Sequence, residues 1–372
     1  MQFARMHFIR GGKRTETWPG ILRCTNNQSW ESNMSGRCVQ GIVAAAVWMS
    51  LVAPAAAQVV ELKMSHYLPT VNVISADFLA TWASEVEKRA GGKAKITIYP
   101  AGSSFGQIDR QLDQVKSGVV DIAFGLVGVP RDRLPRTELI ELPFLASDRG
   151  TANKALWAVA QKDLVQEYSG LKLLALTVDM TYLHTKNKPI NSLEDLKGLR
   201  IRAPSVTVNK ILSDIGAVPV NMPPVQVYES LEKSVIDGTV FAWDPIASYR
   251  LSEVLDNHLD NVVSAVSFWF AMNEKKYNAL PPEVRAAIDA VSGDNLIPRF
   301  DGWFEKWSQA GINAAKARRS TISKLKDAEL QRWKKNSEKV VEERLVELEG
   351  RGVKDARAVY KDLQDAVQNA SR

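Results

Sequence analysis

The stretch Ser192-Leu193-Glu194-Asp195-Leu196-Lys197-Gly198-Leu199-Arg200-Ile201-Arg202-Ala203-Pro204 introduces the alternation of helix and strand that runs through this chain. Ser192 is a typical first residue of a helical turn, with the acidic Asp195 three positions later. Leu199–Ala203 then predicts a strand, Val208–Ile215 a helix and Ala217–Val220 another strand. A strand, a helix and a second strand in this order predict a parallel pair joined by a crossover helix.

The same alternation extends outward in both directions from this stretch. Further strands are predicted over Val60–Met64, Lys95–Tyr99, Val119–Phe124, Leu171–Val178, Thr239–Trp243 and Val262–Met272. Helical patterns fill the gaps, over Ile74–Val86, Ile108–Val115, Ala152–Ala160 and Val225–Val235. Val119–Phe124 is almost continuously apolar, as strands buried on both faces of a parallel sheet are.

Val262–Met272 is long enough to run through two lobes, and everything beyond Pro281 is predicted to be helical. The pattern predicts an α/β fold of two lobes that share their crossovers, with a ligand cleft between them.

The N-terminus carries the pattern of an export signal. Residues 39–52 form an uncharged apolar run that follows Arg37 and precedes Pro54-Ala55-Ala56-Ala57. The run is shorter than the roughly 20 residues that span a membrane, and its flanks are typical of a secretory signal peptide. We predict cleavage after Ala57 and translation from Met34, with a short buried helix as the alternative.

Composition narrows the possible classes of protein. Ten Trp, 11 Phe and 8 Tyr among 372 residues argue against disorder. Residues 1–57 hold six basic and two acidic residues, so the remaining 315 residues keep only +2 of the net charge of +6. Both cysteines, Cys24 and Cys38, also fall in this segment. A nearly neutral, cysteine-free exported chain needs no disulfide and is not expected to bind nucleic acid.

Sequence motifs for catalysis are missing. The chain has no phosphate-binding G-x-x-x-x-G-K-[ST] loop, no G-x-S-x-G elbow and no H-E-x-x-H pair. The histidines beyond the signal are His66, His184 and His258, far apart in sequence. We therefore predict no catalytic residue, no cofactor and no metal site.

The opening stretch resembles the signature of the solute receptors of tripartite ATP-independent periplasmic (TRAP) transporters, the DctP-type family. Further motifs of that family follow the same order along the chain, from residue 59 to about residue 368. They are Tyr99-Pro100-Ala101-Gly102, Gln111, Ser117–Ala123, Gly216-Ala217, Pro219, Val227-Tyr228, Val235–Gly238, Met272-Asn273 and Leu280–Val284.

The resemblance implies a two-lobed periplasmic binding protein, similar to type II, with hinge strands and a long C-terminal helical region. It implies one lobe formed by residues 58–180 with about 268–305, and a second formed by 181–267 with about 306–372. The expected function is capture of an organic acid and its delivery to TRAP membrane permease subunits. We expect a monomer in the periplasm.

Arg202 is the leading candidate for ligand binding. Strand alternation places Arg200 and Arg202 on the same side, so the pattern alone does not choose between them. The resemblance favours Arg202, because the arginine at this position of the family pairs with the ligand carboxylate. A guanidinium can donate two parallel hydrogen bonds to a carboxylate, and burial strengthens them.

The other candidates have structural alternatives that the sequence leaves open. Tyr182 stands where some relatives carry a second basic residue, and Asp244 either orders a loop or contacts a metal. Side chains at predicted strand ends or on the predicted hinge strand either line the cleft or pack in the core. These are His66, Tyr67, Phe124, Phe241, Trp243 and Trp269. Gly125 would let backbone approach the ligand closely.

The abundance of aromatic residues at these strand ends predicts an apolar or aromatic monocarboxylate, since a sugar acid would need more polar partners. Two other functions remain open. One is a receptor of the same fold that serves a signalling partner, and the other is a periplasmic hydrolase or isomerase.

Overall fold

The computed structural model of the protein describes residues 59–371, and the predicted export signal, residues 1–57, lies outside this range. The strands of this part are β1 (Val60–His66), β2 (Ala94–Tyr99), β3 (Ile122–Leu126), β4 (Leu171–Thr185), β5 (Arg200–Ala203), β6 (Val218–Asn221), β7 (Gly238–Phe241), β8 (Asn257–Asn273) and β9 (Thr321–Ser323). The α-helices are α1 (Ala80–Arg89), α2 (Gln111–Ser117), α3 (Arg149–Ala160), α4 (Val206–Asp214), α5 (Val227–Glu232), α6 (Asp244–Ser248), α7 (Glu274–Asn278), α8 (Pro282–Asp289), α9 (Arg299–Ala317), α10 (Asp327–Gly350) and α11 (Ala356–Ala370). A π-helical turn, Ile74–Leu79, leads directly into α1, and short 3-10 turns occupy Ile108–Arg110, Thr137–Glu141, Leu193–Leu196, Pro224–Gln226, Leu251–Glu253 and Gly293–Asn295.

All nine strands found within residues 59–371 belong to one sheet, in the order β2-β1-β3-β8-β4-β7-β5-β6, with β9 beside β8. The first three strands are mutually parallel, as are β7, β5 and β6. Between these groups, β8 and β4 form an antiparallel ribbon. The observed sheet with its crossover helices confirms the predicted α/β class.

The central ribbon is longer than the sequence predicted. Residue pairs run from Leu171 opposite Asn273 to Thr185 opposite Asn257. The prediction ended the first of these strands at Val178, which is wrong, because β4 continues through Thr185. The continuation contains Asp179, Thr181 and His184, polar residues that interrupt an apolar pattern but are fully buried here.

The two groups of parallel strands attach to opposite halves of this ribbon. β3 pairs with the C-terminal half of β8, from Leu126 opposite Phe268 to Ile122 opposite Met272. β7 pairs with the C-terminal half of β4, from Tyr182 to Thr185. The ribbon therefore carries the chain from one strand group into the other.

The C-terminal region is helical apart from one strand, so the prediction of helix alone was wrong there. Thr321–Ser323 pairs in parallel with Asn257–Leu259 of β8. Helix α9 buries Phe300 and Phe304 in the core beneath β1–β3, while its residue Ala315 packs in the core beside α6. Helix α9 thus contributes to the apolar cores beside both groups of strands.

The last helix packs beside the first group of strands. α11 lies against α3, and Val359 and Leu363 enter the same apolar cluster as Leu112 of α2. Within residues 59–371, no helix combines the length and the apolar composition needed to cross a membrane.

Candidate ligand site

A cavity lies where the carboxyl ends of β1, β3, β5 and β7 face each other across the ribbon. Its wall includes Tyr67, Leu126, Arg202, Phe241 and Phe268. Such an edge of an α/β sheet is where ligands commonly bind. The space inside amounts to about 40 Å³, room for about three waters at the usual 10–15 Å³ each.

Arg202 is buried in this wall without a carboxylate partner. Its side chain is 2% exposed, and the guanidinium donates to the backbone oxygens of Met222 (3.3 Å) and Val240 (3.2 Å). Burial lowers the pKa of Arg202 to about 10, although nearby Tyr67 and Tyr249 raise it. No carboxylate within residues 59–371 lies close enough to form a salt bridge with this cation or to raise its pKa.

Arg200, two residues earlier on β5, is held in a different way. Its guanidinium binds Asp237 at the surface, with 2.7 Å from Nη2 to Oδ1 and 3.0 Å from Nε to Oδ2. Nearly half of the side chain is exposed. The structure therefore distinguishes two arginines that strand alternation had left equivalent.

Aromatic rings cover the cavity on two sides. Tyr67 stacks on Phe124 with 6.3 Å between ring centroids, and Phe124 stacks on Phe268 at 5.5 Å. On the other side Phe241 stacks on Tyr249 at 6.2 Å. The hydroxyl of Tyr249 is buried and has no hydrogen-bond partner among the described residues.

Three of the predicted ligand residues line the cavity, namely Arg202, Tyr67 and Phe241. Phe124 lies directly behind Tyr67 instead. His66 is buried away from the cavity: its Nδ1 accepts from the backbone N–H of Leu68 (3.2 Å), so Nε2 donates to Ser75 Oγ (3.2 Å). Burial lowers the pKa of His66 to about 4, which keeps the ring neutral.

Tyr182 and Trp243 do not line the cavity. Thr181 faces the cavity, and the next residue, Tyr182, points to the other side of β4. Trp243 lies behind the wall against His184 and His258, with both centroid distances 5.1 Å. The predicted strand over Thr239–Trp243 also ends early, at Phe241, so Trp243 precedes helix α6 rather than continuing β7.

Gly125 and Trp269 pack against each other rather than against the cavity. A Cβ atom at position 125 would lie 2.4 Å from Cζ2 of Trp269. The indole N–H donates to the backbone oxygen of Leu126 at 3.2 Å. The close approach of the indole therefore explains why position 125 is a glycine.

Comparison with known proteins identifies the family. The model of bacterial extracellular solute-binding protein family 7, DctP, matches residues 64–347. The chain belongs to the DctP family. It is thus a TRAP transporter solute-binding receptor, of the two-lobed α/β fold that the sequence predicted, and members of this family are periplasmic.

Two solved structures closely resemble the receptor. A TRAP solute-binding protein from Rhodoferax ferrireducens, in complex with copurified benzoate, is 31% identical over 84% of this chain and 98% of that one, with a TM-score of 0.80. A marine metagenome TRAP solute-binding protein specific for aromatic acid ligands, in complex with 3-hydroxybenzoate, is 29% identical over 85% and 100%, with a TM-score of 0.81. A solute-binding protein from Albidiferax ferrireducens is 25% identical over 309 residues, 74% of this chain and 90% of that relative.

Sequence reasoning missed several residues of the receptor's cavity wall. Asn72, Thr181, Tyr249 and Phe268 all contribute to it, as does Asp244, which the sequence assigned to loop order or a metal. Within residues 59–371 no group of three or more His, Cys, Asp or Glu side chains is arranged to hold a metal ion. Tyr249, the residue directly after α6, belongs to no periodic pattern that could have pointed to it.

Proposed function

We propose that this receptor captures a small apolar or aromatic monocarboxylate in the cavity around Arg202 and delivers it to a TRAP permease. The observation that carries the proposal is the buried Arg202 cation, which has no carboxylate partner among the described residues. An unpaired buried charge is costly, and a bound carboxylate would compensate it. In this proposal Arg202 donates two parallel N–H hydrogen bonds to the carboxylate of the ligand.

The wall residues other than Arg202 favour a ligand that is apolar beyond its carboxylate. The rings of Tyr67, Phe241 and Phe268 line the cavity together with the guanidinium. The apolar wall suits one ring better than a sugar acid, whose many hydroxyls would each need a partner. The ligands of the two structural neighbours, benzoate and 3-hydroxybenzoate, are single-ring monocarboxylates.

We propose that the two strand groups act as lobes that close over the ligand by bending the β4–β8 ribbon. The lobes would be residues 58–180 with 268–305, and residues 181–267 with about 306–355. The packing of α11 against α3 favours counting the last helix with the first lobe, rather than with the second as the sequence suggested. Phe124, Tyr182, Trp243 and Trp269 would then support the cavity from behind.

The proposal includes export. Residues 1–57 would be removed as a signal, so that the protein begins at Gln58 in the periplasm. N-terminal sequencing of the protein from a native periplasmic extract would test this. Recovery of functional protein that still begins at Met1 would contradict it.

Calorimetric titration of the purified protein tests the ligand class. We expect saturable binding of benzoate or cyclohexanecarboxylate, and weaker or no binding of succinate and glucuronate. Benzamide is the matched control, because it keeps the ring and loses the charge. Equal binding of benzamide and benzoate, or failure of every monocarboxylate to bind, would contradict the proposal.

Two other functions make different predictions. A signalling receptor would be encoded beside a sensor kinase, whereas a transport receptor would be encoded beside two permease subunits. A hydrolase or isomerase would convert a bound acid, which chromatography of the ligand recovered after incubation would reveal.

A further inference from the structure

A second polar group lies in the cavity wall apart from Arg202. Asp244, the first residue of α6, is 6% exposed and lines the cavity. Asn72, from the loop after β1, lines it too and is 2% exposed. The Asn72 amide faces the Asp244 carboxyl. It is fixed by two other bonds, accepting from the Ile74 N–H at 2.9 Å and donating to Ser248 Oγ at 3.2 Å.

No cation is available to balance a charge on Asp244 within the described residues. The guanidinium of Arg149 lowers the pKa of Asp244, but it pairs with Asp179 at 3.1 Å and donates to Ser308 Oγ at 2.9 Å. Burial, and then the neighbouring Asp179, raise the pKa of Asp244 far above its ordinary value. Burial without a salt-bridge partner thus favours the neutral carboxylic acid, which has one O–H donor and one C=O acceptor.

The two polar groups are separate sites on one wall. The phenol groups of Tyr67 and Tyr249 each interact electrostatically with both Arg202 and Asp244. Asp244 does not contribute to the pKa of Arg202, whereas both tyrosines do. Arg202 and Asp244 belong to different elements, β5 and α6, and no salt bridge joins them within the described residues.

We propose that Asp244 binds a hydroxyl group carried by the ligand at the end away from Arg202, and that it disfavours ligands with a second carboxylate at that end. This inference rests on the proposed function of the same cavity. It makes Asp244 and its positioning residue Asn72 determinants of specificity among monocarboxylates.

A hydroxyl matches this site better than a charged substituent. It can accept from the carboxylic O–H and donate to the C=O at the same time. A second carboxylate would be desolvated with no cation beside it. An ammonium group would also be desolvated in this wall, which includes the apolar residues Ile74, Pro245 and Val266.

Calorimetry with ligands that differ by one group tests the inference. The ligands are benzoate, its three monohydroxy isomers, isophthalate and 3-(aminomethyl)benzoate. For the wild-type protein we expect at least one hydroxybenzoate isomer to bind ten or more times as tightly as benzoate. We expect isophthalate and the ammonium compound to bind more weakly than that isomer.

Three variants separate hydrogen bonding from charge. In Asp244→Ala the ratio of the benzoate Kd to the hydroxybenzoate Kd should fall close to 1. In Asp244→Asn, which keeps one donor and one acceptor, the ratio should stay within about threefold of wild type. Asp214→Asn removes a carboxylate on α4 that does not line the cavity, and should leave the ratio unchanged.

The outcomes distinguish this inference from the proposed function. If wild-type protein binds no acid of the series, the proposed function fails. If benzoate binds but the hydroxyl preference survives in Asp244→Ala, only the role of Asp244 is overturned. Loss of the preference in Asp244→Asn, or tight binding of isophthalate or of the ammonium compound, would also overturn it. Circular dichroism of each variant verifies that it is folded.

Discussion

The guanidinium carbon of Arg202 lies 4.5 Å from the centroid of the Phe241 ring, and both side chains belong to the wall of one cavity. An arginine over an aromatic face gains a cation–π attraction. The guanidinium also donates to the backbone oxygens of Met222 and Val240, which restrict its position further. The cation is thus fixed before any ligand arrives.

The first prediction concerns the two arginines of β5. Arg202→Ala should weaken binding of a small monocarboxylate by about 2–5 kcal/mol, because the ligand charge would be buried without a partner. Arg202→Lys should also weaken it, since lysine cannot donate two parallel hydrogen bonds. Calorimetry measures both effects.

Arg200→Ala is the matched control for this experiment. Its surface pair with Asp237 is screened by water and should contribute little to stability, and its loss should leave affinity unchanged. If Arg200→Ala abolished binding and Arg202→Ala did not, the site would be placed wrongly.

The second prediction concerns the contact between Gly125 and Trp269. Gly125→Ala should lower the free energy of unfolding by about 1–3 kcal/mol, because the new methyl group would overlap the indole. Gly302→Ala, inside helix α9 with nothing within 4 Å of the new atom, should raise it by about 0.5–1 kcal/mol. Urea unfolding of the two variants should therefore shift in opposite directions. A Gly125→Ala protein as stable as wild type would show that the indole can move aside.

The third prediction concerns the pH dependence of stability. Glu141 is buried and accepts hydrogen bonds from the backbone N–H (2.9 Å) and hydroxyl (2.6 Å) of Ser267. Burial, and then the nearby Glu138, raise the pKa of Glu141 from 4.5 to about 7. Between these two pH values the folded state keeps a proton that the unfolded state releases. The contribution of Glu141 to stability is therefore full below pH 4.5 and is lost as the pH rises to about 7.

Glu141→Gln removes this titration while keeping an acceptor for Ser267. The free energy of unfolding of wild type relative to the variant should fall by roughly 3 kcal/mol as the pH rises through this window. Because Asp179 and the buried histidines titrate in both proteins, only this difference reports on Glu141. Parallel pH profiles of the two proteins would refute the assignment.

The fourth prediction concerns a buried ion pair on the C-terminal helix α10. Arg344 is 1% exposed, and its Nη2 lies 3.2 Å from Oε2 of Glu138. Arg344→Met should cost about 3 kcal/mol of stability, since it leaves Glu138 buried without its cation.

Arg332→Met provides the comparison on the same helix. Arg332 is exposed and binds Glu194 at the surface at 2.6 Å, so its removal should change stability far less than the loss of Arg344 does. Equal urea midpoints for the Arg344 and Arg332 variants would mean that burial of the first pair has no energetic consequence.

The sequence predicted most elements of the fold because their patterns are local. β1, β2, α3 and α4 lie within a few residues of their predicted bounds. The sequence also favoured Arg202 over Arg200, because the family resemblance assigns ligand binding to that one position of the motif. It failed where burial and polarity disagree: the end of β4 contains Asp179, Thr181 and His184, whose hydrogen-bond partners lie elsewhere in the chain.

By itself, then, the sequence determined the α/β class, the family and the strand that carries the arginine. Only the tertiary structure decided which neighbouring side chains line the cavity. Ser267, Phe268, Trp269 and Phe270 are all buried, so exposure does not distinguish the two faces of this part of β8. Phe268 faces the cavity and Trp269 packs on Gly125, because β3 and β4 flank β8 here and successive side chains of a strand point to opposite faces of the sheet.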